Sequence, residues 1–151
     1  MESRSMQSLP FKLLGQIDAG ILVLNRQGEI VFWNRWLELY SHLKTEQVLG
    51  RQLLDVFPQI EDGAVINAID KALSQGLPTV LRRIFHSNLL PLSPKHHQMQ
   101  GLSDYIPLDI SVHAIDDEGE DYCLVQVFDH SAAVRREETL KQVLMENLQR
   151  K

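Results

Sequence analysis

Residues 20–34 read GILVLNRQGEIVFWN, and this stretch decides the fold. Gly20 to Asn25 is a short, continuous apolar run that is typical of a buried strand, and Glu29 to Trp33 is its expected partner. Arg26-Gln27-Gly28 lies between them, and its glycine can supply the positive φ of a hairpin turn. Asn34 follows, a residue type favoured at the N-cap of a helix. The stretch therefore predicts two antiparallel strands that lead directly into a helix.

Helical spacing of apolar residues predicts four helices around and after this hairpin. They are Leu9 to Ile17, Trp36 to Leu43, Thr45 to Leu49 and Asp62 to Gln75. Asp62 is expected to cap the last of these helices at its N-terminus, and Gly76 is expected to end it.

The second half of the chain predicts three more strands. They are Thr79 to His86, the alternating segment Leu108 to Ala114, and the apolar segment Tyr122 to Phe128. Asp116 to Gly119 is expected to turn the chain between the last two. Consecutive strands joined by short turns favour an antiparallel sheet with helices gathered on one side, an α+β fold. Ser87 to Ser103 is an expected long loop, of a kind that is often functional or mobile.

Three stretches in this order resemble the PAS family. They are the opening hairpin with its capping Asn34, EQVLGRQLLDVFP at 46–58, and YCLVQVFDHS at 122–131. Many family members carry Asp-Ile-Thr where this chain has Asp129-His130-Ser131, so the middle residue departs from the pattern. The resemblance covers roughly residues 10–150. It implies a five-stranded antiparallel sheet, with helices on one side, that cradles a pocket for a cofactor, metabolite or protein contact.

The expected organisation is one domain with flanking segments. Residues 1–8 are polar and are predicted to be disordered, residues 9–131 form the PAS domain, and residues 132–151 form a C-terminal signalling helix. The chain stops within that helix at Arg150-Lys151 without a capping signal, which favours a fragment of a longer protein.

The composition and charge of the chain argue against several classes of function and location. A formal net charge of −5 over 151 residues gives no electrostatic reason to bind nucleic acid or anionic lipid. No apolar run approaches the roughly 20 residues of a membrane span, and the N-terminus lacks a signal-peptide core. Cys123 is the single cysteine, so no intramolecular disulfide can form. We expect a cytoplasmic protein.

The sequence carries no known signature of a cofactor site or a catalytic site. The chain lacks the reactive-cysteine segment of flavin-binding PAS domains, and the helix of residues 62–75 has no histidine for haem, so neither cofactor is expected. His96-His97 lacks further ligands at metal spacing and favours a solvated loop. No catalytic set is present, so the chain is not expected to be an enzyme or to hold a metal. The identity of any ligand stays unknown.

Four residues are candidates for the pocket. Trp36 and Tyr40 share a helix face, where they either pack in the core or wall the pocket. Ile69 lies on the apolar face of the helix of residues 62–75. Arg82 and Arg83 alternate on a strand, and Arg83 is the candidate to face the pocket and pair with an anionic ligand. A surface salt bridge is the alternative for Arg83.

The end of the chain predicts a signal output. Asp129, His130 and Ser131 would form the junction between the last strand and the C-terminal helix. That helix carries an apolar stripe of Leu140, Val143, Leu144 and Leu148. Ala133, Leu140 and Asn147 are seven residues apart, which favours a two-helix coiled coil and therefore a homodimer. The alternative is a helix that folds back onto its own sheet.

These observations favour a sensory domain that binds a small molecule or a partner and passes the signal through its C-terminal helix. The expected output domain in the same chain is a diguanylate cyclase of the GGDEF type or a histidine kinase, as the resemblance implies. A ligand-free dimerisation or docking module is the main alternative. A small enzyme is a third hypothesis, for which the sequence shows no catalytic motif.

Overall fold

A five-stranded antiparallel sheet forms the centre of the protein. The computed structural model describes residues 9, 17–61, 63–82, 89–92 and 106–149, with the backbone alone for residues 131–138. The strands are β1 (Gly20–Leu24), β2 (Ile30–Trp33), β3 (Thr79–Leu81), β4 (Leu108–Asp117) and β5 (Glu120–Asp129). Their spatial order is β2-β1-β5-β4-β3, and every neighbouring pair is antiparallel. The predicted α+β class and five-stranded sheet are confirmed.

Five helices accompany the sheet in the described residues, together with a short 3₁₀ turn at Pro58–Ile60. They are α1 (Arg35–Ser41), α2 (Thr45–Val48), α3 (Leu53–Val56), α4 (Ala64–Gln75) and α5 (Ser131–Gln149). Helix α1 packs on β1, and α4 packs on β3, β4 and β5. Because the buried side chains of both helices join one core cluster with those of the sheet, the helices lie on one face, as predicted.

The first hairpin forms as its sequence predicts. Gly28 has a φ of 83°, the positive value that suits glycine in a tight turn. The side-chain oxygen of Asn25 accepts hydrogen bonds from the backbone of Gln27 at 3.0 Å and of Glu29 at 2.9 Å. Leu22 and Leu24 then point into the core, and Val23 points to the opposite face.

The second hairpin is longer than predicted, because β4 and β5 each run for ten residues. Glu118 and Gly119 both have positive φ, the signature of a two-residue type I′ turn. Leu108, Ile110 and Val112 are buried on the core face, as their alternation predicts. Ala114 is exposed instead, because β3 pairs with β4 only at residues 110–112 and covers nothing beyond them.

Two predicted boundaries are corrected. Gly63 rather than Asp62 is the N-cap of α4, and it offers no side-chain hydrogen bond. Asp62 lies outside the described residues, and Gly76 ends the helix as predicted. The third strand was predicted to reach His86 but ends at Leu81, because Arg82 is no longer part of it, and residues 83–88 lie outside the described part.

The long loop predicted at 87–103 contains core residues. Leu89, Leu90 and Leu92 are buried, with Leu92 fully inaccessible. The predicted loop is therefore anchored in the core at these three positions. The rest of the loop lies outside the described residues, as does the predicted N-terminal helix between Leu9 and Ile17.

Helix α5 begins at Ser131, one residue before the predicted boundary. Every described side chain from Thr139 to Gln149 is exposed, so this part of the helix does not fold back onto its own sheet. In the described part of the chain, no helix is long and apolar enough to cross a lipid bilayer.

Gly20 is the place where α1 comes closest to β1. A Cβ built there would lie 2.8 Å from Trp36 Cε3 and 2.9 Å from Leu37 Cδ2, both on buried side chains. We expect Gly20→Ala to lower the free energy of unfolding by about 2 kcal/mol, because overpacking a dense core displaces side chains or backbone. Urea denaturation of both proteins measures this, and an unchanged midpoint would show that α1 moves away freely.

Candidate functional site

An open cleft of about 680 Å³ lies between the first hairpin, α3 and α4. Its apolar lining consists of Leu24, Leu53, Leu54, Ile66, Ile69 and Leu73. Its polar lining consists of Arg26, Gln27, Gln52, Asp70 and Ser74, with the backbone of Gly28. The Gln52 side chain donates a hydrogen bond to the carbonyl of Gln27 at 2.7 Å and so ties the hairpin loop to the start of α3. The cleft suits a small molecule with an apolar body and a polar group.

The structure separates the four pocket candidates. Ile69 lines this cleft. Trp36 and Tyr40 lie outside it on α1, where their rings stack at 3.8 Å with an interplanar angle of 10°. Arg83 lies outside the described residues, and its neighbour Arg82 is exposed. The cleft-lining Arg26 and Asp70 were missed, because the sequence does not reveal that the hairpin loop and α4 meet.

Tyr40 contacts the predicted signal junction. Its hydroxyl donates a hydrogen bond to Asp129 Oδ2 at 3.2 Å, across 89 positions of sequence. Burial raises the pKa of Tyr40, and together with the negative charge and hydrogen bond of Asp129 and a smaller contribution from Asp18 it brings the pKa to about 12. Because Trp36 is buried against β1 and stacks on Tyr40, a continuous contact runs from the core to Asp129.

His130 fastens the same junction to β4. Its backbone amide donates to the carbonyl of Pro107 at 2.9 Å, and its Nε2 lies 2.9 Å from Asp109 Oδ2. The residue that departs from the family pattern therefore has its own partner on the neighbouring strand. Ser131 begins α5 immediately afterwards. Tyr40 on α1 and Asp109 on β4 thus contact the end of β5 from two sides.

The bond between Tyr40 and Asp129 predicts a dependence of stability on alkaline pH. The folded-state pKa of about 12 exceeds the ordinary value of 10.0, so the contribution is fully present below pH 10 and is lost as pH rises through 12. The difference in free energy of unfolding between the wild type and Tyr40→Phe should therefore shrink across this window. Urea unfolding at several pH values measures it, and a constant difference would contradict the bond.

Other reactive groups do not gather into a site in the part of the chain that the structure describes. Cys123 is buried on β5, and burial raises the pKa of its thiol to about 11, which favours the unreactive protonated form. Among the described residues, no group of three His, Cys, Asp or Glu side chains is placed to hold a metal. His96 and His97 lie outside those residues.

The stripe on α5 is open to solvent. Leu140 is 60% exposed, Val143 46%, Leu144 54% and Leu148 70%. Met145 adds a further exposed apolar side chain. An exposed apolar stripe on a helix is typical of a surface that packs against another element.

Comparison with known proteins agrees with this geometry. The family model described as the PAS fold matches residues 9–80. No curated protein matches the chain. The chain is similar to the crystal structure of a sensory box sensor histidine kinase from Vibrio cholerae, with 21% identity, a TM-score of 0.56, and coverage of 85% of this chain and 97% of that one.

Two further structures share the fold. The PAS domain of an HTR-like protein from Haloarcula marismortui is 15% identical with a TM-score of 0.54, and the match covers 85% of this chain and 94% of that one. The PAS domain of nitrogen regulation protein NR(II) from Vibrio parahaemolyticus is 15% identical with a TM-score of 0.53, covering 81% and 98%. The family match over residues 9–80 and the likeness to these three structures show that the chain has a PAS-like fold.

Proposed function

We propose that this PAS domain is a cytoplasmic, non-enzymatic sensor that passes its signal through α5 to an output domain in the same chain. The observation that carries the proposal is the junction at Asp129 and His130. There the sheet continues into α5 without slack, while Tyr40 holds one residue and Asp109 the other. A displacement of β5, β4 or α1 therefore reaches the first turn of α5 directly.

The proposed input is a small molecule or a partner protein in the cleft. Its apolar lining and its Arg26 and Asp70 side chains suit a compact ligand that carries a polar or charged group. Ile69 lies in the cleft and also belongs to α4, which packs on β4 and β5. A ligand that shifts α4 would thereby move the two strands that end at the junction.

The proposed output is a homodimer whose two α5 helices form a coiled coil. The exposed stripe supports this, because leucines at these positions gain from burial against a second helix. The output domain is proposed to be a histidine kinase or a diguanylate cyclase. The kinase titles belong to the similar structures, and they support that class without assigning it.

The relay is tested by cutting the contact between Tyr40 and Asp129 from either side. Asp129→Ala and Tyr40→Phe both remove this hydrogen bond, and a hydrogen bond is worth about 0.5–1.5 kcal/mol, so both variants should stay folded. Amide hydrogen exchange at residues 131–139 should become faster in both, and the full-length protein should lose its response to stimulus. Tyr122→Phe is the matched control, because the Tyr122 hydroxyl bonds Glu120 at the far end of the sheet.

Circular dichroism provides the folding control. A folded Asp129→Ala protein with normal exchange in α5 and a normal response would remove the junction from the mechanism. That outcome would favour the alternative of a ligand-free dimerisation module, in which α5 associates but the cleft and junction carry no signal.

A further inference from the structure

The end of the β4–β5 hairpin projects beyond both neighbouring strands. β1 pairs with β5 only as far as Cys123, and β3 pairs with β4 only at residues 110–112. Residues 115–122 therefore form a two-stranded ribbon that pairs with neither of these strands. Such a ribbon gains little from the core, so its sequence is free to serve a surface role.

The ribbon carries five carboxylates in six positions, at residues 116, 117, 118, 120 and 121. Asp116 lies directly opposite Asp121, and Asp117 directly opposite Glu120. Like charges in cross-strand pairs destabilise a hairpin, and all five residues are exposed. Arg26 lines a separate pocket together with Glu120 and Asp121 and brings one positive charge to that side of the ribbon. Cationic groups from outside the chain would relieve the remaining repulsion.

A separate apolar concavity begins where the ribbon joins the sheet. It measures about 670 Å³ and lies on the face of the sheet opposite the helices. Val23, Phe32, Ile115, Tyr122 and Leu124 line most of it, and Asp116 and Asp117 line its ribbon end. The apolar surface and the carboxylates thus form one continuous surface, with the charge confined to one end.

We infer that this surface docks a basic amphipathic helix from a partner protein. The apolar stripe of the helix would fill the concavity, and Lys or Arg side chains near one end would face the ribbon. Charge complementarity selects a cationic partner, and the one-sided charge fixes the direction in which the helix lies. The apolar concavity shares no lining residue with the cleft, which is on the helix side of the sheet.

The test uses the full chain and a synthetic helix of leucine and lysine with all leucines on one face. A peptide of the same composition with the stripe scrambled is its control. Titration calorimetry should show binding at least tenfold tighter for the striped peptide, weakening as salt is added. Nuclear magnetic resonance should place the shifted signals at Val23, Ile115 and Leu124. Equal binding of the scrambled peptide, or shifts confined to α5 or the cleft, would overturn the inference.

Variants locate the two halves of the surface. Asp117→Asn with Asp121→Asn should weaken binding roughly fivefold and reduce its salt dependence, because each exposed charge pair contributes modestly. Ile115→Ser should weaken binding without changing the salt dependence, whereas Asp70→Asn in the cleft should leave binding unchanged. Unchanged binding by the Asn variant would refute the inference. Loss of self-association in Ile115→Ser would also refute it, because the occupant would then be a second copy.

Discussion

Replacement of Asn34 by alanine is expected to lower the free energy of unfolding by about 3 kcal/mol, since removing the partner of a buried polar group costs roughly 1–3 kcal/mol. The Asn34 side chain is 2% exposed and serves two elements at once. Its Oδ1 accepts from the backbone of Ile21 at 3.1 Å and of Leu37 at 3.2 Å. Its Nδ2 donates to the carbonyl of Ala19 at 2.7 Å. Alanine would leave three backbone groups without this partner.

Urea denaturation measures this loss, and two variants separate its parts. Asn34→Asp keeps the acceptor for Ile21 and Leu37 but replaces the donor to Ala19, so it should also be destabilising. Asn25→Ala is the matched control, because Asn25 makes comparable bonds in the more exposed hairpin loop. It should lose only about 1 kcal/mol. Equal losses for Asn34→Ala and Asn25→Ala would show that burial of Asn34 adds nothing.

Asn34 also shows which contacts could be predicted from the sequence and which could not. Its role as N-cap of α1 was predicted correctly, because capping depends on residues within three positions. Its bonds to Ile21 and Ala19 were not predicted, because they depend on where α1 lies against β1. The close approach of Trp36 to Gly20 fixes that position. Local chemistry thus predicted the cap, and packing decided its further partners.

The strands were predictable for the same reason. The hairpin around Gly28 and the turn at Glu118-Gly119 follow from the backbone conformations that their residues adopt. The alternation of Leu108, Ile110 and Val112 follows from the two-residue period of a strand facing one core. The number of strands came from the family resemblance, whereas their order in the sheet was not predicted, since no local pattern encodes it.

The candidate site was less predictable than the fold. The contact of Tyr40 with Asp129 joins positions 89 residues apart, and neither residue carries a local signal of the other. Trp36 and Tyr40 were candidates for the pocket because aromatic residues on one helix face suit either a core or a cavity. The cleft instead formed where the hairpin loop meets α4, and that meeting depends on tertiary packing. Of the four pocket candidates, Ile69 is the one that the structure shows lining this cleft.

A double replacement of Leu140 and Leu144 by glutamate is expected to convert the protein from a dimer to a monomer. Both side chains are more than half exposed in one chain. Burying a leucine contributes roughly 1.5–3 kcal/mol, and a dimer would bury four of them. Glutamate would instead place four carboxylates in the seam, where like charges repel. The circular dichroism of the domain should stay nearly unchanged, because these side chains contact none of the core.

Light scattering at high micromolar concentration measures the change, with the wild type expected to be dimeric. Gln142→Glu is the matched control, because residue 142 lies on the opposite face of α5 and adds a charge without entering the stripe. A monomeric wild type with α5 intact would contradict the dimer. A double variant that remains dimeric would place the dimer contact elsewhere on the domain, and α5 would then lose its proposed role as the partner-binding element of the relay.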